Sequence, residues 1–403
     1  MKQVKLQTDI AVVGAGPCGS FSALTAAKLG AEVTVFEEHS EIGVPTHCTG
    51  HISLSGLKRL GIRLPPEIVE NEFQNALFYS PSGKEFSVKF DSPVTCVINR
   101  ALFDKYLAQL AAKAGADYVL NAKVKSLNIE KGFVKVVASH KQFESKIVIN
   151  AEGVSSILSR KAGLPLPKKR TLVRAVQAQV DRINNVDAQS VEIYLGRKIA
   201  SGFFAWIVPK RDGTAKVGLA TNKGNPKLCL QHFTQKNPVA SQKLRKSRVE
   251  NISVHPIPLG GPISKTYAEK LLVVGDAASQ VKPLTGGGII TGLSCARIAG
   301  EVVSEALRQN DFSEKFLSQY EERWRKALNF QLGVMFKLRK MFNRLSDKKI
   351  DQIVELCRKF GVDKCLSRVE DVDFLEESLL SLMKNPRVFV VATYFLLSSL
   401  TSI

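Results

Sequence analysis

The sequence is short of several things, and each shortage narrows the field. Its seven cysteines, an odd number, are scattered without a CxxC pair, which argues against a secreted disulfide framework and a zinc ribbon. Histidine occurs only six times. The one loop where histidine and cysteine gather, His47, Cys48 and His51, matches no common zinc spacing, so no metal is expected. No internal repeat and no low-complexity linker appears in the 403 residues, so the subdomains should be interleaved. No secretory signal is evident, because the apolar run in MKQVKLQTDIAVVG is short and its glycine misplaced; a cytoplasmic body is expected. Acidic residues are scarce beside basic ones, 37 against 57, leaving a net charge of +20. Such a surplus favours a polyanion: nucleic acid, an anionic membrane surface or a phosphorylated substrate. No nucleic-acid recognition motif accompanies the charge, so nucleic acid is not expected as a partner.

What is present begins with a βαβ opening. Asp9 to Val13 reads as a buried strand, Phe21 to Leu29 as a helix ended by Gly30, and Glu32 to Glu37 as a second strand. Between strand and helix, Gly14, Gly16 and Gly19 form G-x-G-x-x-G, with Ala15 inside it. Such glycines permit a tight turn and close backbone approach, placing a pyrophosphate at the positive end of a helix. Glu37 closes the second strand, where a carboxylate binds a ribose hydroxyl pair and disfavours a 2′-phosphate.

Further along, strands are expected near 117–120, 124–129, 133–138 and 146–150, and an antiparallel sheet over 171–220. Leu271 to Val274 leads into G-D-A-A, delivering Asp276, and the glycine turn Gly286, Gly287, Gly288 opens a helix at Ile289. That helix start can stabilise negative charge on a flat ring. Asn99-Arg100 begins another helix, and on the residues alone Arg100 reads as a solvated first-turn charge.

The two glycine motifs, in this order and spacing, resemble the FAD sites of the p-hydroxybenzoate hydroxylase superfamily. The resemblance implies FAD, with Arg100 on its phosphates and Ala122 among the cofactor contacts. The run I-V-I-N-A-E-G-V-S-S resembles that superfamily's A-D-G-x-x-S stretch, with Glu152 in place of the usual aspartate.

G-F-F-A-W-I-V-P, residues 202–209, resembles the aromatic-x-W-x-F-P motif of the geranylgeranyl reductase family. It would place Phe204, Trp206 and Pro209 along a tunnel for an isoprenoid chain; on the residues alone they read equally as core aromatics. Val208 stands where phenylalanine is usual, and Gly218-Leu219-Ala220 lacks the last glycine of G-x-G. In EIGVPTHCTG, residues 41–50, Pro45 and Cys48 fit the family's P-x-x-C pattern. This implies that Cys48 and Thr49 are flavin neighbours, Cys48 either packing as a small polarisable hydrophobe or serving as a proton or redox partner; His47, on its own, reads as a loop residue satisfied by the backbone.

Together these motifs make the chain similar to archaeal digeranylgeranylglycerophospholipid reductases over roughly 5–330. The expected fold is α/β: a Rossmann-like FAD-binding domain (1–75, 99–165 and 265–310) interleaved with an antiparallel-sheet substrate domain (76–98 and 166–264). A helical C-terminal region (311–403) follows. The implied activity is saturation of C=C bonds in prenyl chains by hydride from reduced FAD, on a prenylated lipid substrate. The electron donor stays open among NAD(P)H, ferredoxin and others. A flavin monooxygenase or halogenase of the same fold is the alternative, since F-x-W-x-V-P also resembles the halogenase W-x-W-x-I-P pattern; a non-enzymatic flavoprotein is a third.

Two C-terminal stretches bear on the membrane. Arg323 to Arg344 is basic with aromatics at helical spacing, either an interfacial helix or one docked on the core. Residues 388–403, VFVVATYFLLSSLTSI, are sixteen without a charge, short of the roughly twenty needed to span a bilayer. They would dip into one leaflet, cap the lipid tunnel or close the core. A cytoplasmic enzyme held peripherally on an anionic membrane is therefore expected.

Overall fold

The structure, a computed structural model, describes residues 6–139, 141–369, 382 and 384–401. The chain divides into two compact units. One takes the chain up to Thr46, Arg100–Thr171 and Pro258–Gly333; the other takes His47–Asn99, Leu172–Ile257 and the chain from Val334.

The first unit is built on a sheet in which Val33–Phe36, Gln7–Val13, Lys141–Asn150 and Leu271–Val273 run parallel, Val33–Phe36 also pairing with Asp117–Val119. Their mutually paired segments, from Ile10, Val33, Ile147 and Leu271 onward, are buried runs rather than alternating ones, as expected where both faces are covered. Lys141–Asn150 is long enough to serve twice: its first half pairs antiparallel with Val134–Ala138, its second half parallel with Leu271–Val273. The helices Pro17–Lys28 and Ile289–Gln309 pack closely because small residues meet. A Cβ on Gly292 would lie 2.6 Å from Cys18 Sγ, and one on Gly300 2.7 Å from Thr25 Cβ.

The second unit carries a seven-stranded sheet, ordered Val249–Pro258, Leu172–Val180, Ala215–Thr221, Ala205–Pro209, Ser190–Tyr194, Asn75–Tyr79 and Glu85–Lys89. The antiparallel sheet expected over 171–220 is present at its centre. One face packs Tyr194, Ile207, Val217 and Val176 beneath Leu230 and Phe233 of the Pro226–Lys236 helix. The other face shows Gln177, Gly218, Trp206, Ile193, Phe78 and Phe86 in one register row across five strand pairings. At its end, Phe78 and Phe86 pack against helices Asp347–Lys359 and Pro386–Thr401.

One expectation meets a different arrangement, and one open choice is resolved. Residues 47–75 group with the second unit, not with the glycine loop, because His51–Ser53 and Val69–Phe73 both pair with Thr95–Ile98. The basic aromatic stretch lies in the helix Glu314–Phe342, whose Trp324, Leu328, Leu332 and Met335 are buried. Its apolar row is core, so the docked reading holds for this helix. Among the described residues no helix is long and apolar enough to cross a membrane.

Candidate active site

In the first unit the glycine loop is built as its sequence predicts. Gly14 has φ +96°, and a Cβ there would lie 2.5 Å from the Ala151 carbonyl oxygen. A Cβ on Gly19 would lie 1.8 Å from Gly14 O, so helix and strand approach only because both lack side chains. Gly16 differs: nothing among the described residues stands within 4 Å of its Cβ position. Two glycines close the packing and the third looks onto open space.

The helix start behind this loop has no side-chain cap and no acid in its first turn. The same is true of the Ile289–Gln309 helix, whose N-cap is Gly288. Helix starts normally recruit Ser, Thr, Asp or Asn to their orphan N–H groups. Two starts without such an acceptor in one unit suit an anionic ligand that supplies the oxygens itself.

Glu37 is placed beside the loop by its strand, and its carboxylate is only 9 % exposed. Oε2 accepts from the Ala15 N–H (2.8 Å), and Oε1 accepts from the His39 N–H (3.0 Å) and pairs with His39 Nδ1 (2.6 Å). Ala122 touches this arrangement through the backbone, donating its N–H to Glu37 O at 2.7 Å.

Arg100 is engaged by a residue the sequence did not single out. Its Nε and Nη2 donate to Asp104 one turn on, at 3.1–3.2 Å. Burial pushes the Asp104 carboxyl up, and the Arg100 guanidinium works against that. Burial likewise raises Asp276, again opposed by Arg100. A Cβ on Gly288 would lie 3.1 Å from Asp276 Oδ1, so carboxylate and glycine turn adjoin. In the turn, Lys282 N–H donates to Gly287 O and Gly286 N–H to Lys282 O. Burial pushes the Cys18 thiol up to about 12, consistent with an inert packing residue between the helices.

Glu152 has a structural task. Its carboxylate accepts N–H bonds from Ile157, Leu158 and Ser159 at 2.8–3.1 Å, holding the start of the Ile157–Lys161 helix.

In the second unit, Cys48 and Thr49 sit in a loop pinned from three directions. Gly50 N–H donates to Cys48 Sγ (3.3 Å), while Gly50 O accepts from Ile98 N–H (2.9 Å). Thr49 Oγ1 donates to Gln177 Oε1 (2.5 Å). Lys216 Nζ donates to Thr49 O (2.9 Å) and Ile98 O (3.1 Å), and pairs with Glu70 Oε2 (2.5 Å). Lys210 completes the cluster, 3.4 Å from Glu70 Oε1. Burial lowers the Lys216 pKa, while Glu70 and Cys48 favour its charged form.

Lys216, Glu70 and Gln177 escaped the sequence reading. A signal was available for the first: a lone lysine inside AKVGLAT, where every residue of the strand is buried.

Trp206 lies across Gly218. A Cβ there would fall 2.5 Å from the indole Cζ2 and 2.6 Å from Val176 O, so ring and neighbouring strand together require glycine. The indole Nε1 is buried with no hydrogen-bond partner among the described residues. Phe204 meets Trp206 edge-on with centroids 6.1 Å apart, and stacks on Phe203 at 4.1 Å. Arg339, 8 % exposed, holds this turn by donating to Gly202 O (2.6 Å) with its guanidinium over the Phe203 ring. Pro209 is not part of this group. It follows the alternation of Ala205 and Ile207 onto the face covered by the Pro226–Lys236 helix. The motif is therefore split by the two-residue repeat of the strand.

Comparison with known proteins adds the following. Residues 7–329 match the family model described as FAD binding domain. The chain is 36% identical to the digeranylgeranylglycerophospholipid reductase of Methanocaldococcus jannaschii over 364 residues, 88% of this chain and 92% of the relative. It is 36% identical to digeranylgeranylglycerophospholipid reductase 2 of Methanothermobacter thermautotrophicus, covering 87% of this chain and 91% of the relative. Among solved structures it resembles a geranylgeranyl bacteriochlorophyll reductase-like protein of Thermoplasma acidophilum (TM-score 0.84, 27% identity, 96% of this chain and 99% of that one). Halogenase PltM shares the fold alone (TM-score 0.70, 15% identity, 97% of this chain and 86% of that one).

Proposed function

Because the chain belongs to the FAD-binding family of digeranylgeranylglycerophospholipid reductases, we propose that it saturates the C=C bonds of geranylgeranyl chains on an archaeal-type ether phospholipid. The observation that carries this reading is the aromatic row of the second unit. Phe204 meets Trp206 edge-on, and Trp206, 9 % exposed, fills the space that Gly218 leaves, so the row is aromatic and apolar, the character that a chain with no polar atoms requires. FAD, when bound and reduced, supplies the hydride.

The residues of this chain do the rest. Glu37, the Gly14–Gly19 loop and the two uncapped helix starts hold the cofactor's polar end, with Arg100 and Asp276 beside them. An isolated alkene is barely polarised, so the reaction depends on alignment and on exclusion of water. We assign that alignment to Phe204 and Trp206. We assign Cys48 the proton for the second alkene carbon, supported by its P-x-x-C segment and by the four hydrogen bonds that fix the loop. The thiol gives its proton and is reprotonated from solvent, so no net change falls on the protein. With +20 of net charge and a phospholipid substrate, the enzyme works in the cytoplasm, peripherally on an anionic membrane.

The test is anaerobic. Chemically reduced holoprotein is incubated with geranylgeranyl phospholipid and the lipid is weighed by mass spectrometry. Gain of two hydrogens per double bond supports the reading. Unchanged lipid without oxygen and an oxygenated or halogenated product with it would replace it by the monooxygenase or halogenase alternative.

A further inference from the structure

The terminal helix Pro386–Thr401 is apolar toward solvent and mixed toward the protein. Its side chains from Val388 onward carry no charge. The side turned to the protein includes Val388, Val391, Tyr394, Ser398 and Ser399. Tyr394 donates to Gln352 Oε1 (2.6 Å), and Ser398 and Ser399 are 2 % and 1 % exposed. The side turned to solvent carries Phe389, Val390, Leu396, Leu397 and Leu400, between 45% and 60% exposed, with the exposed Thr393 among them. At about 100° per residue these five fall within an arc of roughly 120°. A helix docked only to close a core would present the opposite pattern.

Beside the start of this helix lies a cavity of about 660 Å³, also within the second unit. Arg358, Lys359, Lys364 and Arg387 line it, with Glu85 and Asp363 as its acids, so cations outnumber carboxylates by four to two. All four cations are exposed. Arg358 and Lys359 end the Asp347–Lys359 helix, on which the terminal helix packs.

We propose that this surface docks on an anionic lipid bilayer: the Phe389–Leu400 stripe enters the acyl boundary and the Arg358–Arg387 cavity receives lipid phosphate. Three observations select a bilayer over other occupants. The helix is sixteen residues, about 24 Å at 1.5 Å per residue, so it lies in the interface instead of spanning. The apolar stripe adjoins a cluster of the sign that anionic headgroups attract, the combination that holds interfacial helices. The chain as a whole is +20. The inference rests on the membrane reading above and assigns it to one element, in place of the basic stretch of Glu314–Phe342 whose apolar row is buried.

The experiment is co-sedimentation of full-length holoprotein with vesicles of phosphatidylglycerol and phosphatidylcholine, against phosphatidylcholine alone. Wild type should sediment with the anionic vesicles and release as salt rises. Leu396→Ser with Leu397→Ser, both exposed and so tolerated by the fold, should lower the partition coefficient about tenfold to thirtyfold. Arg358→Glu with Lys364→Glu should remove the preference for the anionic lipid. Unchanged sedimentation of both variants overturns the proposal. So does light scattering that shows wild type as a dimer and the Leu396/Leu397 variant as a monomer, since the stripe then faces a second copy. Turnover of detergent-dispersed lipid separates the two readings. A wild type that reduces dispersed lipid but ignores vesicles sinks the docking surface alone; one that docks through the stripe but reduces nothing sinks the function alone.

Discussion

Replacing Lys216 by methionine removes the ammonium from which the Cys48–Thr49 loop hangs. Nζ has three acceptors, Thr49 O, Ile98 O and Glu70 Oε2, and the residue is only 9 % exposed. Methionine fills the stem volume but donates nothing. Breaking a buried ion pair from one side costs about 3–5 kcal/mol. Here the loss is reduced, because Glu70 keeps Lys210 at 3.4 Å and is itself partly exposed. Two carbonyls left without their donor add back about 1 kcal/mol each. With the ion-pair part cut to about 1–2 kcal/mol, the sum is a destabilisation of about 3–4 kcal/mol, read from the shift of the urea midpoint at constant slope. Glu70→Gln in the Lys216→Met background should recover about half of it, since the orphaned charge is gone. Flavin content should not change, because the glycine loop and Glu37 are untouched, while turnover falls with the loosened loop. A Lys216→Met protein within about 0.5 kcal/mol of wild type, or a double variant worse than the single, would refute the reasoning.

Other outcomes follow from single contacts. Gly19→Ala sets a Cβ 1.8 Å from Gly14 O, so the protein should fold with much reduced flavin per mole, measured by absorbance after gel filtration. Gly218→Ala sets a Cβ 2.5 Å from the Trp206 ring, and the displaced indole should cost about 1–3 kcal/mol and lower kcat while flavin binding persists. For Asp351, burial alone would raise the carboxyl, but hydrogen bonds from Ser80 and Ser82 outweigh it and hold its pKa below the ordinary value. A carboxylate lowered on folding contributes stability above its unfolded pKa and loses it as pH falls through the folded one. The docking of Asp347–Lys359 on the Ser82 turn should therefore weaken below about pH 4, and Asp351→Asn should lessen that pH dependence in hydrogen exchange of the helix, leaving the part due to Glu355, which Lys84 holds low.

How much of this was legible in the sequence depended on the distance over which each feature is encoded. The proposed cofactor end is local: Gly14, Gly16 and Gly19 lie within one loop, and Glu37 ends the next strand, so βαβ periodicity exposes them all. Gly286 to Ile289 is local in the same way. The pinned loop is not. Thr49 meets Gln177 across 128 residues and Lys216 across 167, and no spacing rule brings these together. Pro209 was grouped with Trp206 by motif, yet three residues along a strand turn a side chain to the other face. The tail needed its buried side to be known before its apolar outer side meant anything. Composition supplied the uncharged run, and only packing shows that Ser398 and Ser399 point inward while Leu396 and Leu397 do not.

The central claim is that reduced flavin in this protein passes its hydride to a prenyl alkene. It is tested most directly by mixing anaerobic, photoreduced holoprotein with geranylgeranyl phospholipid in a stopped-flow spectrophotometer and following flavin absorbance. The account predicts that the lipid restores the oxidised spectrum without oxygen, faster with more lipid, and that the fully saturated lipid does not. A flavin that stays reduced in the presence of the unsaturated lipid, and reoxidises only when oxygen is admitted, would contradict it.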